Sequence, residues 1–427
     1  MVKMEEIAAL VKRRGFIYQS SEIYGGIAGF WDYGPLGVEL KRNVKNEWWK
    51  SIVQLRDDIV GIDASIIMSP EVWNASGHVD NFTDPLVECK ICHIRVRADN
   101  EEKIKQHEED HKEKVEWTEP KSFNLLTEVY LGVTEPKLKA YLRGEITQGV
   151  FVNFQNIVSS SRVKIPFGVA QIGKAFRNEI TPGNLTFRSR EFEQMELEFF
   201  IKPDEQEGEK YFNYWKEERI NWYKSLGFRG ENLRFKEHKP DERAHYARFA
   251  VDIEYKSPFG WKEFEGIHHR GDWDLGRHKL TYKDPNTNEE YTPWVIETSG
   301  GVDRAVLFLI IEAYSNKDDR FILKLHPSLA PYKVAVFPLL ANKNELVSKA
   351  RNIYERLKKH LMVYWDSRGN IGKRYASQDE IGTPWCITVD FDSLKDDTVT
   401  IRDRDTAKQE RISVDKILSY VQNCLEA

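Results

Sequence analysis

Two strand-period runs, Gln171–Glu179 and Arg188–Phe200, stand either side of the loop Ile180-Thr181-Pro182-Gly183-Asn184-Leu185, whose Pro-Gly-Asn chemistry turns the chain. So short a connection makes them an antiparallel hairpin, because a parallel crossover takes a dozen or more residues. Alternation then sorts the side chains. Arg177 and Glu179 fall on one face of the first strand, with Phe176 and Asn178 on the other. In the returning strand Arg190, Phe192, Gln194, Glu196 and Glu198 share a face, opposite Met195, Leu197 and Phe199. A charged strand can be no more than a solvated face, and its company decides between that and a site. Arg177, Arg188 and Arg190 offer planar forks for phosphate oxygens, and Phe192 offers a ring for a base. ATP is a natural ligand for such a face.

A third strand-like run, Tyr291–Ser299, ends in Gly300-Gly301 and leads into VDRAVLFLIIEAY. The near-continuous apolar character of that segment marks a buried helix, so the reading is strand, glycine turn, helix. Glu297 and Ser299 share a face, and the two glycines let a ligand approach the backbone. Arg304 sits in the first helical turn, where free N–H groups and the dipole already favour anions. GGVDR carries little alone. Neither G-x-x-x-x-G-K-[ST] nor a G-x-G-x-x-G at a strand–helix junction occurs, so the arginines answer to no common phosphate loop and an antiparallel ATP site is implied.

At 427 residues and 50.0 kDa the chain exceeds one hydrophobic core, and two or three domains are expected. With 41% hydrophobic and 31% charged residues and no low-complexity stretch, most of it should fold. The N-terminus MVKMEEIAALVKRRGF lacks a leader pattern, and no run reaches the ~18 apolar residues of a membrane span; the expectation is a cytoplasmic protein. A net charge of −5 gives no global pull toward nucleic acid, so RNA binding would need local basic patches.

Residues 36–55 space their apolar groups like an amphipathic helix after the turn Tyr33-Gly34-Pro35. Residues 99–121 are nearly all charged, as a solvated insertion or a loop without function would be. Beyond Leu329-Ala330-Pro331 a strand (KVAVFPL) and a helix (Lys343–Leu361) open a separate α/β domain.

The four cysteines do not make a disulfide framework. Cys89-x2-Cys92 is followed by His107-x3-His111, a spacing that can hold tetrahedral zinc. A charge-rich helix face can produce the same pair of histidines, and His93 is an alternative ligand. Cys386 and Cys424 have no such partners and read as small apolar residues.

Seven segments, among them GFIYQSSEIYGGIAGFWDYGPLG, WNASGHVDNFTDP, GKAFRNEITPGNLTFRSREFEQMELEFF, GWKEFEGIHHRGDWDLGRH and VIETSGGVDRAVL, carry a resemblance that runs nearly the whole length. The chain resembles the dimeric glycyl-tRNA synthetases of the class II family. That resemblance implies an α+β fold: an antiparallel catalytic domain over 1–330, with insertions at about 88–140 and 203–245, and an anticodon-binding α/β domain over 331–427. It also implies glycine, tRNA(Gly) and ATP with Mg2+ as ligands, a homodimer formed through the N-terminal region, and neither DNA nor membrane as partner.

By the same resemblance Arg177, Glu179 and Arg304 are the catalytic residues. Arg177 holds the α-phosphate, and Phe192 and Arg304 sandwich the adenine. The rest of the ATP site is Asn178, Phe187, Arg188, Ser189, Arg190, Glu191, Glu263 (a magnesium ligand), Phe264, Gly301, Val302 and Asp303. Glu145, Glu196 and Glu297 form the acidic pocket for the ammonium of glycine. Arg97, Phe192, Glu193, Gln194, Met195, Thr298, Ser299, Gly300 and Gly301 surround that pocket. Lys373, Arg374, Arg402 and Arg404 are candidates for RNA contact or for a solvated surface.

The chain departs from the family where R-P-E-T-A-Q becomes Arg143-Gly144-Glu145-Ile146-Thr147-Gln148, where E-P-S becomes Glu297-Thr298-Ser299, and over Phe123–Glu128. Two other readings stand beside a glycine enzyme: activation of alanine or serine, prompted by those departures, and a noncatalytic binding protein on the same fold.

Overall fold

The computed structural model describes residues 2–111, 114–239, 247–317 and 320–426. Seven strands make the central sheet: β1 (Ile59–Gly61), β2 (Phe167–Phe176), β3 (Glu191–Ile201), β4 (Leu233–Glu237), β5 (Phe249–Ser257), β6 (Gly260–Gly271) and β7 (Trp294–Gly301). Their spatial order is β4-β5-β6-β7-β3-β2-β1, with every pairing antiparallel except β1 with β2. The expected hairpin is β2–β3, with Phe167 opposite Phe200 and Phe176 opposite Glu191. The Arg177 N–H still donates across to the Arg190 carbonyl, but Asn178 and Glu179 leave the ladder, with the Asn178 N–H donating to the Leu125 carbonyl and the Glu179 N–H to that of Arg177.

The apolar face of the sheet, with Met195, Leu197, Phe199 and Ile201 from β3, packs against helices that precede and follow it. Those helices are α1 (Pro35–Trp49), α3 (Glu205–Ser225) and α4 (Val302–Ala313); a further helix, α2 (Glu101–Asp110), lies in the insertion and buries no residue. Helix α1 starts with Pro35 at its first position, where a missing N–H costs nothing. All but two of the twelve residues of α4 are buried. Gly300 and Gly301 are not a turn: they end β7, and α4 follows directly with Gly301 as its N-cap. A Cβ on Gly300 would stand 3.0 Å from Glu265 Oε2 and 3.1 Å from Met195 Cε, so tight packing rather than chain reversal selects glycine there.

The segment expected as a second helical insertion is part of the main body. Helix α3 buries Trp215, Tyr223 and Arg219, the last paired with buried Glu265 at 2.6 Å, and the following chain supplies edge strand β4. Residues 240–245 of that expectation lie outside the described residues. The first expected insertion holds α2 and most of two small three-stranded sheets, which Ile67–Met68 and Thr83–Glu88 complete from the chain before it, with residues 112 and 113 outside the described set.

The C-terminal sheet runs Val363–Trp365, Val334–Pro338, Trp385–Val389, Thr398–Asp403, Gln409–Ser413, and it has its own apolar core. Its helix ends at Leu357 rather than Leu361. Three of the four proposed RNA contacts are structural. Arg374 donates to the Pro338 and Leu339 carbonyls, Arg402 pairs with buried Asp379, and Arg404 donates to the Gly382 carbonyl. All three are buried, and only Lys373 of the four is exposed. No described helix is long and apolar enough to cross a membrane.

Candidate active site

A cleft of about 610 Å³ opens over the polar face of β3 and β7. Its upper part is cationic. Arg177 donates through Nε to the Gly144 carbonyl and is stacked between the rings of Phe82 and Phe192, at 5.2 and 5.3 Å. Its two Nη groups make no hydrogen bond or ion pair with any described residue, so the fork is open to the cleft. Arg188 stands 3.6 Å from Glu179 Oε2. Arg304 lies over Phe187 at 4.7 Å and reaches Glu263 Oε1 at 3.0 Å, an approach that holds the Glu263 carboxyl below its usual range. Asp303 fixes the start of α4: it accepts from Tyr33, Lys41 and the Glu193 N–H.

The floor is acidic and closed. Strand pairing sets Glu196 opposite Ser299, Glu198 opposite Glu297, and His268 opposite Glu297 from the other side. Ser299 donates to Glu196 at 2.6 Å, while the Thr147 hydroxyl lies 2.6 Å from Glu196 and 3.1 Å from Glu297. Arg270 pairs with Glu297 and forks onto Asp274, and Glu145 meets His78 and Gln148. Burial raises the carboxyls of Glu145, Glu196, Glu198 and Glu297; partners decide the outcome. Arg270 and His268 outweigh it and hold Glu297 down, and His78 does the same for Glu145. Burial and the charges of Glu297 and Glu145 push Glu196 up to about 7. Glu198, buried with neither oxygen hydrogen-bonded, rises well above the carboxylate range. Burial lowers His268 most strongly of any single cause, but the hydrogen bond to Glu297 and the charge of that carboxylate together outweigh it and lift the imidazole. A floor of this kind accepts a small cation that brings its own hydrogen-bond donors.

A second cluster lies in the insertion. The ligating atoms of Cys89, Cys92, His107 and His111 all lie within 4.8 Å of one another. His93, in a left-handed conformation at φ 61°, turns its ring to Glu88 instead, 2.9 Å away, and is excluded as a ligand of this set.

The sequence was compared with known proteins. Residues 132–314 match the tRNA synthetase class II core domain (G, H, P, S and T), and residues 333–424 match an anticodon binding domain. A glycine–tRNA ligase of Borrelia garinii subsp. bavariensis is 50% identical over 437 residues, covering 99% of this chain and 97% of its own length. The chain belongs to the glycine–tRNA ligase family. Relatives of that name in Borreliella burgdorferi and Alkaliphilus oremlandii are 49% and 48% identical, again over 99% of this chain and 97–98% of their own.

Of the residues that the family resemblance marks, the cleft collects Arg177, Glu179, Phe187, Arg188, Ser189, Phe192, Glu193, Gln194, Glu263, Ser299, Gly301, Asp303 and Arg304. Glu145, Glu196 and Glu297 meet in the floor below. Met195, Thr298, Gly300 and Val302 do not reach the cleft, because strand parity and the helix start turn them to the core. Phe264 is likewise buried, against Tyr223 and Phe308, because a bulge between Ile253 and Glu254 puts an extra residue in β6. Asn178 is exposed beside the loop, Glu191 pairs with Lys174, and Arg190 ties the Glu179 and Ala28 carbonyls together from outside. Arg97 is not with the floor either; it pairs with Asp84 at 2.5 Å and with Asp99.

Two departures from the glycine–tRNA ligase pattern face each other. A Cβ on Gly144 would stand 2.9 Å from Phe82 and 3.1 Å from Leu126, and Leu126 belongs to the divergent stretch 123–128. The bulk missing at 144 is thus supplied from the other side. Thr147 instead adds a hydroxyl to the floor. Sequence reasoning missed Thr186, which lines the cleft, and the supports His78, Gln148, His268, Arg270 and Asp274. The alternation of His268 and Arg270, in phase with each other on one strand, was the available signal.

Proposed function

We propose that the chain activates glycine with ATP, forming glycyl-adenylate and pyrophosphate, and then loads the glycyl group onto the 3′ end of tRNA(Gly). The observation that carries this is a cleft lined by guanidinium groups whose floor residues Gln194 and Ser299 hydrogen-bond the buried Glu196 directly beneath. A phosphate and an ammonium can be held there with their reacting atoms together. Arg177 takes the α-phosphate, Arg188 and Arg304 the outer phosphates, and the rings of Phe192 and Phe187 with Arg304 bracket the base. Glu145, Glu196, Glu297 and Ser299 take the ammonium.

No protein nucleophile is needed. The carboxylate of glycine attacks the α-phosphorus in line, pyrophosphate leaves, and Arg177 and Arg304 offset the charge that develops. Glu263, half exposed beside Arg304, fits Mg2+, which keeps most of its waters and takes few carboxylate ligands. The same reading includes a structural Zn2+ on Cys89, Cys92, His107 and His111. Selectivity comes from space: Thr147, Ser299, Glu196 and Glu297 crowd the floor with hydrogen-bonding groups that a methyl cannot satisfy. Glycine-dependent ATP–pyrophosphate exchange, run in parallel with alanine and serine, tests this. Exchange with glycine alone is expected; exchange with none would leave a noncatalytic binding protein.

The reading also carries a cytoplasmic homodimer. Ile23 and Tyr24, each 87% exposed, supply apolar surface in the N-terminal region for a second copy. Sedimentation at twice 50.0 kDa is expected, and an active species at the single-chain mass would overturn it.

A further inference from the structure

Helix α2 holds two different things at its two ends. His107 and His111 of the metal cluster lie at its C-terminal end, and Lys103 lies in its first turn. A ten-residue helix with no buried side chain is not fixed by burial. The Trp117 ring against His107 and the Trp117 hydrogen bond to Glu108 hold it only on one side. The metal cluster supplies the missing anchor. A tetrahedral zinc with ligands at about 2.3 Å (sulfur) and 2.0 Å (nitrogen) separates the two atom types by roughly 3.5 Å, and Cys92 Sγ lies 3.5 Å from His107 Nε2. The Cys89 end is fixed by its own turn, in which the Cys89 N–H donates to the Ile94 carbonyl and the His93 N–H to that of Cys89.

Anchored so, the first turn of α2 meets the rim of the cleft. Lys103 Nζ lies 4.0 Å from where a Cβ on Gly183 would stand, and Gly183 exchanges backbone hydrogen bonds with Arg188. Partial desolvation and the charge of Arg188 push Lys103 below its ordinary range, and no described residue forms an ion pair with it. Arg188 has Glu179 at 3.6 Å, but Lys103 has no such acid among the described residues, so a cation near enough to feel Arg188 and lacking a counter-charge suits an anion that both can reach. We infer that the zinc cluster fixes α2 so that Lys103 joins Arg188 in binding the terminal phosphates of the nucleotide, a contact made by the insertion rather than by the central sheet. This rests on the reading of the cleft as an ATP site and of the cluster as a zinc site.

The test uses the full chain and compares wild type, Lys103→Ala and His107→Ala/His111→Ala. Zinc per chain is measured by elemental analysis, and KM for ATP by glycine-dependent pyrophosphate exchange without RNA. Zinc is expected in wild type and Lys103→Ala and absent from the double variant. KM for ATP should rise about tenfold in both variants, with KM for glycine unchanged and no further rise when all three changes are combined. A zinc-free wild-type chain, or a wild-type KM for ATP in Lys103→Ala, overturns the inference. A rise confined to KM for RNA in the charging reaction also overturns it, by assigning Lys103 to nucleic-acid phosphates. Failure of exchange in the wild-type chain would count against the synthetase reading itself, not against this step.

Discussion

Replacing Arg177 by alanine is expected to reduce glycine activation by about 10²–10³-fold or more, with Arg304→Ala close behind, as loss of a donor preorganised for developing charge does elsewhere. The structure makes Arg177 a severe case. Its Nε is spent on the Gly144 carbonyl and its plane is stacked between Phe82 and Phe192, so the two Nη groups are aimed before any substrate arrives. Lysine cannot substitute: it can neither stack as a plane nor offer two parallel donors, and Arg177→Lys should recover little. Because the contact strengthens as the α-phosphate gathers charge, the loss should fall on kcat and kcat/KM together, with KM for ATP moving less. Arg304 is different, since it also holds Glu263 and stacks on Phe187; its loss should raise KM for ATP as well. Single-turnover adenylate formation separates the two patterns, and full activity in both variants would remove the proposed chemistry.

How much of this was legible beforehand follows from where each residue sits. The hairpin and its polar face were readable because β3 is regular, and in a regular strand parity alone sends Glu196 one way and Met195 the other. Parity would equally have removed Met195, Thr298 and Gly300 from the site, had it been preferred to the family resemblance that placed them there. Phe264 could not be placed that way, since the bulge in β6 changes the phase and leaves no mark in composition. The support shell was hidden for another reason. Arg270 and His268 reach the floor from β6 and Asp274 from the short helix Trp273–Arg277 after it, and only the pairing of His268 opposite Glu297 reveals that they belong. In the C-terminal domain, Arg402 looked available to RNA because its acid partner, Asp379, comes from a different element, and Arg374 and Arg404 because the carbonyls they bond, those of Pro338 and Gly382, lie outside their own elements.

Glycine binding should depend on pH through Glu196. Its carboxyl stands near 7 in the unliganded chain because it is buried and shares the floor with the charges of Glu297 and Glu145, while the Thr147 and Ser299 hydroxyls lie 2.6 Å from its two oxygens. On the proposed reading the ammonium of glycine needs the ionised form. KM for glycine should therefore fall about tenfold between pH 6 and pH 8. Stability runs the opposite way. A carboxyl raised in the folded state favours folding fully below its unfolded value and loses that contribution as pH rises through 7, so the unliganded chain should unfold more easily at pH 8 than at pH 6, and glycine with ATP should reverse the difference. Glu196→Gln removes the titration and the charge at once. It should cost about 2–5 kcal/mol of glycine binding, roughly 30-fold and upward in KM, and leave a KM that no longer changes with pH. Thermal denaturation over the same pH range, with and without both substrates, checks the linkage independently of turnover. A wild-type KM that stays flat from pH 6 to pH 8 would place the ammonium on carboxylates already ionised, Glu145 and Glu297, with Glu196 only a neutral neighbour.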